Sequence, residues 1–209
     1  MSQRKILFGD LISRYAAGER DFSEVIVKTP SPERRSWKPG QFKGLDLSGI
    51  ILQNSSITRL SIYMDGVILR GADLTNVDLG ESNFEGADLS NAILRGTRFF
   101  QSVFEGANLS GADLTGAGLV ESTFFWADLS RANLTNARIS DLGFICTDLT
   151  EAIFNGARLK SVQFDGANLI RADFRRADFG PENDRVFGVK FRDCRFEETL
   201  MPDGSVRSS

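Results

Sequence analysis

The chain has 209 residues, which is enough for one solenoid or one ordinary domain, so length alone decides nothing. Its 25 Lys and Arg nearly balance its 28 Asp and Glu, and the net charge of −3 argues against general nucleic-acid binding, which needs a clustered basic surface. Histidine is absent, which removes the commonest general base and the commonest metal ligand. We therefore expect neither a cofactor nor a metal site.

The amino-terminal residues do not predict export or membrane insertion. Ile6, Leu7 and Phe8 form an apolar run too short for a secretory segment, and nothing downstream approaches the length of a membrane span. Cys146 and Cys194 are too few for a disulfide framework and fit a reducing compartment. These features predict a soluble cytoplasmic protein with no membrane contact.

The first predicted element is a short helix over about residues 6–17. Its apolar side chains fall near helical spacing, and Gly18 stands where a left-handed helix terminus is common. Phe22 and Val27 are five residues apart and indicate one degenerate repeat. A loop is predicted next because prolines bracket a polar stretch. The residues that mark this loop are Pro30, Pro32, Arg34, Arg35, Trp37 and Pro39.

A period of five residues then occupies most of the chain. Every fifth residue from Leu69 to Phe179 is Leu, Ile or Phe, in 23 consecutive positions. Earlier members are Phe42, Leu47, Leu52, Ile57 and Ile62, and later ones are Val186, Phe191 and Phe196. The period slips by two residues after Ile62 and again after Phe179, which predicts small surface bulges. Five fits neither helix nor strand periodicity, so the repeat predicts a solenoid.

The repeated residues resemble those of the pentapeptide repeat family. Runs such as "GADLTNVDLGESNFEGADLSNAILRG" match its pattern of Ala, Asp or Asn, then Leu or Phe, and "YAAGERDFS" is similar to amino-terminal caps of bacterial members. The resemblance implies an all-β solenoid, a right-handed quadrilateral parallel β-helix with four pentapeptides per turn. The central Leu or Phe and the residue two before it would face inward. The implied organisation is a cap, degenerate repeat and loop at 1–41, the β-helix at 42–198 and a tail at 199–209.

Grouping the central positions that are twenty residues apart supports this geometry. Phe84, Phe104, Phe124, Phe144 and Phe164 form one series, and Leu69, Leu89, Leu109, Leu129, Leu149 and Leu169 form another. Residues twenty apart would stack at about 4.8 Å, the spacing of hydrogen-bonded strands. The period predicts about eight coils, with a short α-helical cap at the amino terminus. Leu142 and Val162 are large exceptions among the small residues at the inward position two before the centre.

One group of outward positions is apolar, and we call it the apolar patch. By register its members lie on two adjoining faces within about three coils, and contiguous exposed aromatics usually mark an interaction surface. The apolar patch consists of Phe100, Val103, Val120, Phe125, Trp126 and Ile145. It is the candidate partner-binding site, although partial cover by neighbouring side chains or simple drift of the sequence is an equal alternative.

Charged positions offer weaker candidates. The column Asp88, Asn108, Asp128, Asp148 and Asn168 could imitate DNA or could simply stabilise turns, and turn stabilisation is the favoured interpretation. The basic residues Arg98, Arg138, Arg158 and Lys160 share one face, with Arg131, Arg171, Arg175 and Arg176 near corners. They could meet an anionic partner, but a solvated surface is favoured.

Residues with catalytic potential are few. Glu81, Glu121 and Asp141 form a carboxylate column beside Gln101, at a spacing that could suit a cation or a glycosidase-like pair. A convex rod lacks a pocket to exclude water, which argues against catalysis. Cys194 is expected to be an inert inward residue, and Cys146 a plain surface cysteine.

The sequence therefore predicts a non-enzymatic interaction or scaffold protein that binds an unidentified protein through the sides of a rigid rod. No nucleic-acid partner is expected, and the rod is expected to be a monomer or an end-to-end dimer. The alternative, implied by the family resemblance, is a DNA mimic that interacts with a type II topoisomerase such as gyrase. An enzyme would need a cleft that the repeats do not provide.

Overall fold

A computed structural model describes residues 4–28, 42–58, 63–180 and 188–209. The chain forms an all-β solenoid, a right-handed quadrilateral β-helix of about seven turns with one short helix at its amino terminus. This confirms the predicted architecture. The proline-rich loop around Trp37, together with Ile62 and Val186, lies outside the described residues. Within the described ranges, no helix is both long and apolar enough to cross a membrane.

The regular elements are short because most coil contacts are single bridges. The helix α1 spans Phe8–Ala16. The strands are β1 Arg4–Leu7, β2 Val25–Lys28, β3 Ser56–Thr58, β4 Arg98–Phe100, β5 Gly118–Val120, β6 Arg138–Gly143, β7 Arg158–Gln163, β8 Thr199–Leu200 and β9 Val206–Arg207. Within the described ranges these strands form three sheets, with strand orders β1-β2-β3, β4-β5-β6-β7 and β8-β9.

Backbone hydrogen bonds hold successive coils in a register of twenty residues. The Leu89 amide donates to Asn108 O at 2.7 Å, and the Asn108 amide donates back to Ala87 O at 2.9 Å. Equivalent parallel bridges join Asp88 to Asn108 and Asn108 to Asp128. Because the offset is constant between residues 63 and 180, each position in one of these coils lies directly over the same position in the next.

Each corner is a turn with one residue in the left-handed region. The Ala92 amide donates to Leu89 O at 3.0 Å across such a turn, and Asn91 between them has φ 56°. Gly111 and Arg131, stacked on Asn91 in the following coils, have φ 67° and 58°. Glycine and asparagine adopt this conformation at little cost, which explains why they recur two places after the central residue.

The interior is filled by the central side chains. Phe104 stacks on Phe124 with ring centroids 4.7 Å apart and an interplanar angle of 4°. The predicted phenylalanine and leucine series are all buried, and so are Leu142 and Val162. A second stack, Phe154 on Phe174 at 4.6 Å, meets the first edge-on. Each buried Leu or Phe contributes about 1.5–3 kcal/mol, so a narrow tube holds without a wide core.

The amino-terminal cap differs in part from the predicted helix. Residues 4–7 form β1, which pairs in parallel with β2, so the helix begins only at Phe8. The predicted end is confirmed, since Gly18 has φ 98° and its amide donates to Tyr15 O at 2.9 Å. In the predicted degenerate repeat, Phe22 and Val27 are both buried. The helix prediction is wrong before Phe8 because those residues pair with the free edge of β2 as a strand.

Two irregularities in the register depart from the predicted slips. Met64, five residues before Leu69, is buried and occupies a central position. The five-residue pattern assigns that position to Ile62. Later, Phe191 stacks on Phe164 at 5.1 Å, an offset of 27 rather than 20 residues. The second insertion is therefore seven residues within one coil and not a two-residue bulge. It adds no extra turn, which helps explain why there are about seven turns and not eight.

The carboxyl-terminal residues pack against the tube, which the sequence reading did not predict. β8 and β9 pair antiparallel around a turn in which the Gly204 amide donates to Met201 O at 2.9 Å. The Arg207 guanidinium then lies 3.8 Å from the centroid of the Phe196 ring. A cation over an aromatic face is stabilising, so Arg207 covers the last buried ring.

Replacing Leu114 by Asp tests the inward assignment. Leu114 is fully buried, so Leu114→Asp buries an uncompensated charge, and we expect the chain to unfold, with more than about 4 kcal/mol lost. Circular dichroism and urea titration measure this. Asn133→Asp is the control, because position 133 is outward and stacks between Asp113 and Ile153. A folded Leu114→Asp chain would contradict the assignment.

Candidate protein-interaction site

The β-helix brings all six residues of the apolar patch onto adjoining faces of three successive coils. Phe100 pairs with Val120 across β4 and β5. On the next face, Phe125 O accepts from the Gly106 amide, and Ile145 O accepts from the Trp126 amide at 3.1 Å. The Phe125 and Trp126 ring centroids are 6.2 Å apart, edge to face. The predicted cluster is therefore contiguous in space.

Exposure within the apolar patch is uneven. Trp126 is 63% exposed and Phe100 is 43% exposed. Val103, Val120, Phe125 and Ile145 are half-buried. The Ile145 and Phe125 side chains both lie beside Gly143, where an added Cβ would come within 3.0 Å of Ile145 and 3.9 Å of Phe125. Trp126 is therefore the most exposed member of a patch whose other residues are partly covered.

Trp126 occupies an unfavourable backbone position. It is the left-handed corner residue of its coil, with φ 56°. The same corner is Gly106 one coil before and Gly166 two coils after, with φ 62° and 68°. A bulky side chain in this conformation costs about 1–2 kcal/mol relative to glycine. Because glycine stands at the equivalent corner in other coils and Cys146 in the next, the fold does not require tryptophan here.

The Asp and Asn column stabilises turns, as the favoured interpretation predicted. The Asp128 and Asp148 carboxylates accept from the Ser130 and Thr150 amides at 2.8 and 2.9 Å, and the Asn108 side chain accepts from the Ser110 amide at 3.0 Å. Partial burial alone would raise the pKa of Asp88, but hydrogen bonds from Ser90 and Arg70 lower it. An Asp or Asn side chain held in this way closes a turn and so stabilises its coil.

One side of the tube is strongly acidic, a feature that sequence reasoning missed because it examined single columns. We define the acidic face as residues 81–88, 101–108, 121–128, 141–148 and 161–168. It holds nine of the fifteen Asp and Glu between Leu69 and Phe179, and none of the ten Lys and Arg. Two are in ion pairs with described residues, Asp88 with Arg70 at 2.5 Å and Asp165 with Arg192 at 3.8 Å. Most of the apolar patch lies within this face.

Between Leu69 and Phe179 the basic residues lie on other sides, partly neutralised. In the last coil Lys190 and Arg195 pair with Gln163 and Asn168, so the acidic face ends at basic residues. Arg98 pairs with Asp78 at 2.6 Å, and Arg171 pairs with Glu198 at 2.9 Å. Arg138 and Arg158 stack directly on each other across β6 and β7. Since they share a side with Asp78 and Asp178, this surface is mixed and gives little support to an anionic partner.

The remaining candidate residues do not assemble into a reaction centre. Gln101 donates to Glu121 at 2.8 Å, and Glu81, Glu121 and Asp141 are all exposed on a convex corner. The described residues contain no group of acidic or cysteine side chains that could hold a metal ion. Cys146 is exposed, and burial raises the pKa of the Cys194 thiol, which makes Cys194 less reactive.

Fold and surface together define a solenoid repeat protein that presents side chains from flat lateral faces. The family model described as "Pentapeptide repeats (8 copies)" matches residues 68–106, 107–141 and 144–180, more than half of the chain. The chain belongs to the pentapeptide repeat family. The resemblance that the sequence predicted is thus confirmed.

Solved structures of several family members are similar to this chain. HetL, a pentapeptide repeat protein involved in heterocyst differentiation regulation in the cyanobacterium Nostoc sp. strain PCC 7120, is 23% identical over 97% of this chain and 100% of its own, with TM-score 0.27. Trypsin-treated QnrB1, a plasmid-mediated fluoroquinolone resistance protein, is 16% identical over 94% and 88%, with TM-score 0.36. A protein from the Arabidopsis thaliana thylakoid lumen is 29% identical over 71% and 76%, with TM-score 0.16. Among curated proteins, none matches.

Asp113 tests the pH dependence that the turn carboxylates impose. Partial burial alone would raise its pKa, but hydrogen bonds from Thr115 and Arg95 lower it below 3.8. A lowered pKa gives stability that is present above pH 3.8 and is lost as pH falls towards the folded value. We expect Asp113→Asn to lose under about 1 kcal/mol at pH 7 and to flatten the decline below pH 4. Urea titrations at pH 7 and below pH 4 measure the free energy of unfolding of both chains.

Asparagine is the matched replacement because Asn133, stacked on Asp113, accepts from the Thr135 amide at 3.0 Å in the same turn. Asp113→Ala removes the acceptor and should cost about 1 kcal/mol more at pH 7. Equal stability of the two variants at pH 7 would contradict the structural use of this side chain.

Trp126→Gly tests whether the exposed tryptophan serves the fold. Because glycine relieves the left-handed strain while a largely exposed ring is lost, we expect the free energy of unfolding to change by less than about 1 kcal/mol. Glu121→Gly is the control, since Glu121 has φ 53° and is an exposed corner residue. A loss above about 2 kcal/mol for Trp126→Gly alone would assign Trp126 to the packing of the tube.

Proposed function

We propose that this protein is a non-enzymatic protein-binding rod that contacts a partner protein through its lateral apolar patch. The observation that carries the proposal is Trp126, 63% exposed at a left-handed corner that is Gly106 one coil before and Gly166 two coils after. Tryptophan is a frequent hot spot of protein interfaces, and contiguous exposed apolar groups usually mark such surfaces. The rigid stacking of the coils fixes these side chains before binding, which reduces the entropy lost on association.

Comparative capture from lysate of the source cell tests this function. The baits are the wild-type chain, the double variant Trp126→Gly/Phe125→Ser, and Ile153→Ser as the matched control. Ile153 is an outward residue, 39% exposed, on a different side of the tube. We expect a protein retained by the wild type and the control to be depleted at least about tenfold on the double variant, because a hot spot contributes 2 kcal/mol or more. Identical capture by all three baits would contradict the proposal.

A second candidate function is a DNA mimic that interacts with a type II topoisomerase. The acidic face favours it, with nine carboxylates and no Lys or Arg. Against it, apolar side chains interrupt this face, and ten Lys and Arg lie on the other sides between Leu69 and Phe179. A gyrase supercoiling assay separates the candidates. We expect no inhibition by the purified chain; inhibition that survives Trp126→Gly would favour the DNA mimic.

Two further expectations belong to the same proposal. We place the rod in the cytoplasm, supported by its two unpaired cysteines, Cys146 and Cys194. We also propose that it acts as a monomer or an end-to-end dimer. Helix α1 and the β8–β9 hairpin each pack at one end of the coils, which favours the monomer.

A further inference from the structure

We propose that the occupant of the apolar patch is a short basic polypeptide segment, in which Lys or Arg residues flank aromatic or aliphatic ones. This inference rests on the proposed function and adds the chemistry of the partner. It follows from the acidic face, which contains most of the apolar patch and carries carboxylates but no Lys or Arg.

Charge complementarity is the first argument. Seven carboxylates of the acidic face form no ion pair with any residue that the structure describes. They are Glu81, Glu85, Glu105, Glu121, Asp128, Asp141 and Asp148. Glu105 and Asp165 stand directly before and after Phe125 and Ile145 in one column, and Glu121 and Asp141 occupy the adjoining corner. A cationic segment lying on Phe125 and Ile145 meets a carboxylate at each end of their column and along one adjoining corner.

The second argument is that the fold does not need these charges. Asp128 and Asp148 accept amide hydrogen bonds in turns, whereas Glu105 and Asp141 have no described side-chain hydrogen bond and Glu121 only accepts from Gln101. The corner column already tolerates a neutral amide, since Gln101 stands between Glu81 and Glu121. Like charges stacked in successive coils repel one another. Carboxylates that weaken the fold and serve no turn are explained by a cationic partner.

The size of the site indicates a segment and not a broad surface. The apolar patch spans three coils, on the order of 10 Å along the tube. Stable interfaces between folded proteins bury about 800 Å² on each side, which six partly covered side chains do not supply alone. A few residues of extended chain or one or two helical turns match this length.

Selection from a phage-displayed library of random linear peptides tests the inference on the full chain. Binders to the wild type are counter-selected on Trp126→Gly/Phe125→Ser, and enriched peptides are synthesised and measured by fluorescence anisotropy. We expect enriched peptides to combine aromatic or aliphatic residues with an excess of Lys and Arg. Their affinity should fall about tenfold with Glu105→Gln/Glu121→Gln/Asp141→Asn and should weaken with added salt.

Glu151→Gln is the matched control, because Glu151 is an exposed corner carboxylate on another side, 3.9 Å from Arg171. It should leave peptide affinity unchanged. Peptides that need Trp126 but carry no basic excess, or ignore the triple variant, would overturn the inference and leave the proposed function standing. Basic peptides that bind the patch variant equally well would overturn the inference as charge adsorption. Failure to find any Trp126-dependent peptide would contradict both.

Discussion

The hydrogen-bonded register of twenty residues between coils is the constraint on which the rest of this structure depends. Pairs such as Leu89 with Asn108 and Asn108 with Ala87 fix each coil on the next. Once the offset is fixed, the identity of a residue matters mainly through the residues twenty before and twenty after it. The five-residue period then decides which side chains enter the tube, and the fourfold repetition decides which of them touch.

Similar side chains therefore stack on one another, which is favourable inside the tube and unfavourable for charged residues on its surface. Within the tube, stacking phenylalanine on phenylalanine builds a continuous apolar column, as in Phe104 over Phe124 at 4.7 Å. On the surface, the same register places Asp128 beside Asp148 and Arg138 beside Arg158. Water screens these surface pairs, so each costs little, and a solenoid can carry a highly polarised face that an ordinary sheet would avoid.

The sequence predicts the repetitive part of this fold well because inward positions have one physical requirement, burial at a fixed phase. The apolar patch could be assembled from that phase alone. Met64 was missed because methionine lies outside the Leu, Ile and Phe pattern. The seven-residue insertion was counted as a slip of two because one whole extra pentapeptide leaves the phase of Phe191 and Phe196 unchanged. Strand β1 and Arg207 were missed for another reason: their partners, β2 and Phe196, are the open ends of the stack, where pairing is not periodic. The acidic face required summing several columns across one side, and single columns hid it.

The distribution of the carboxylates separates what serves the fold from what does not. Where a carboxylate closes a turn, as Asp113 does with Thr115, asparagine appears at the same place in other coils and keeps the turn without the charge. Where it does not, as at Glu105, the coil gains only repulsion from its neighbours. The backbone at Trp126 is a parallel case, since glycine stands at the equivalent left-handed corner as Gly106 and Gly166. Two costs of different origin, one electrostatic and one conformational, therefore coincide within one coil of each other. Left-handed corners with a side chain occur along the whole rod, so the strain alone does not mark this surface. What marks it is an exposed indole next to carboxylates that close no turn, a combination that the fold itself does not call for.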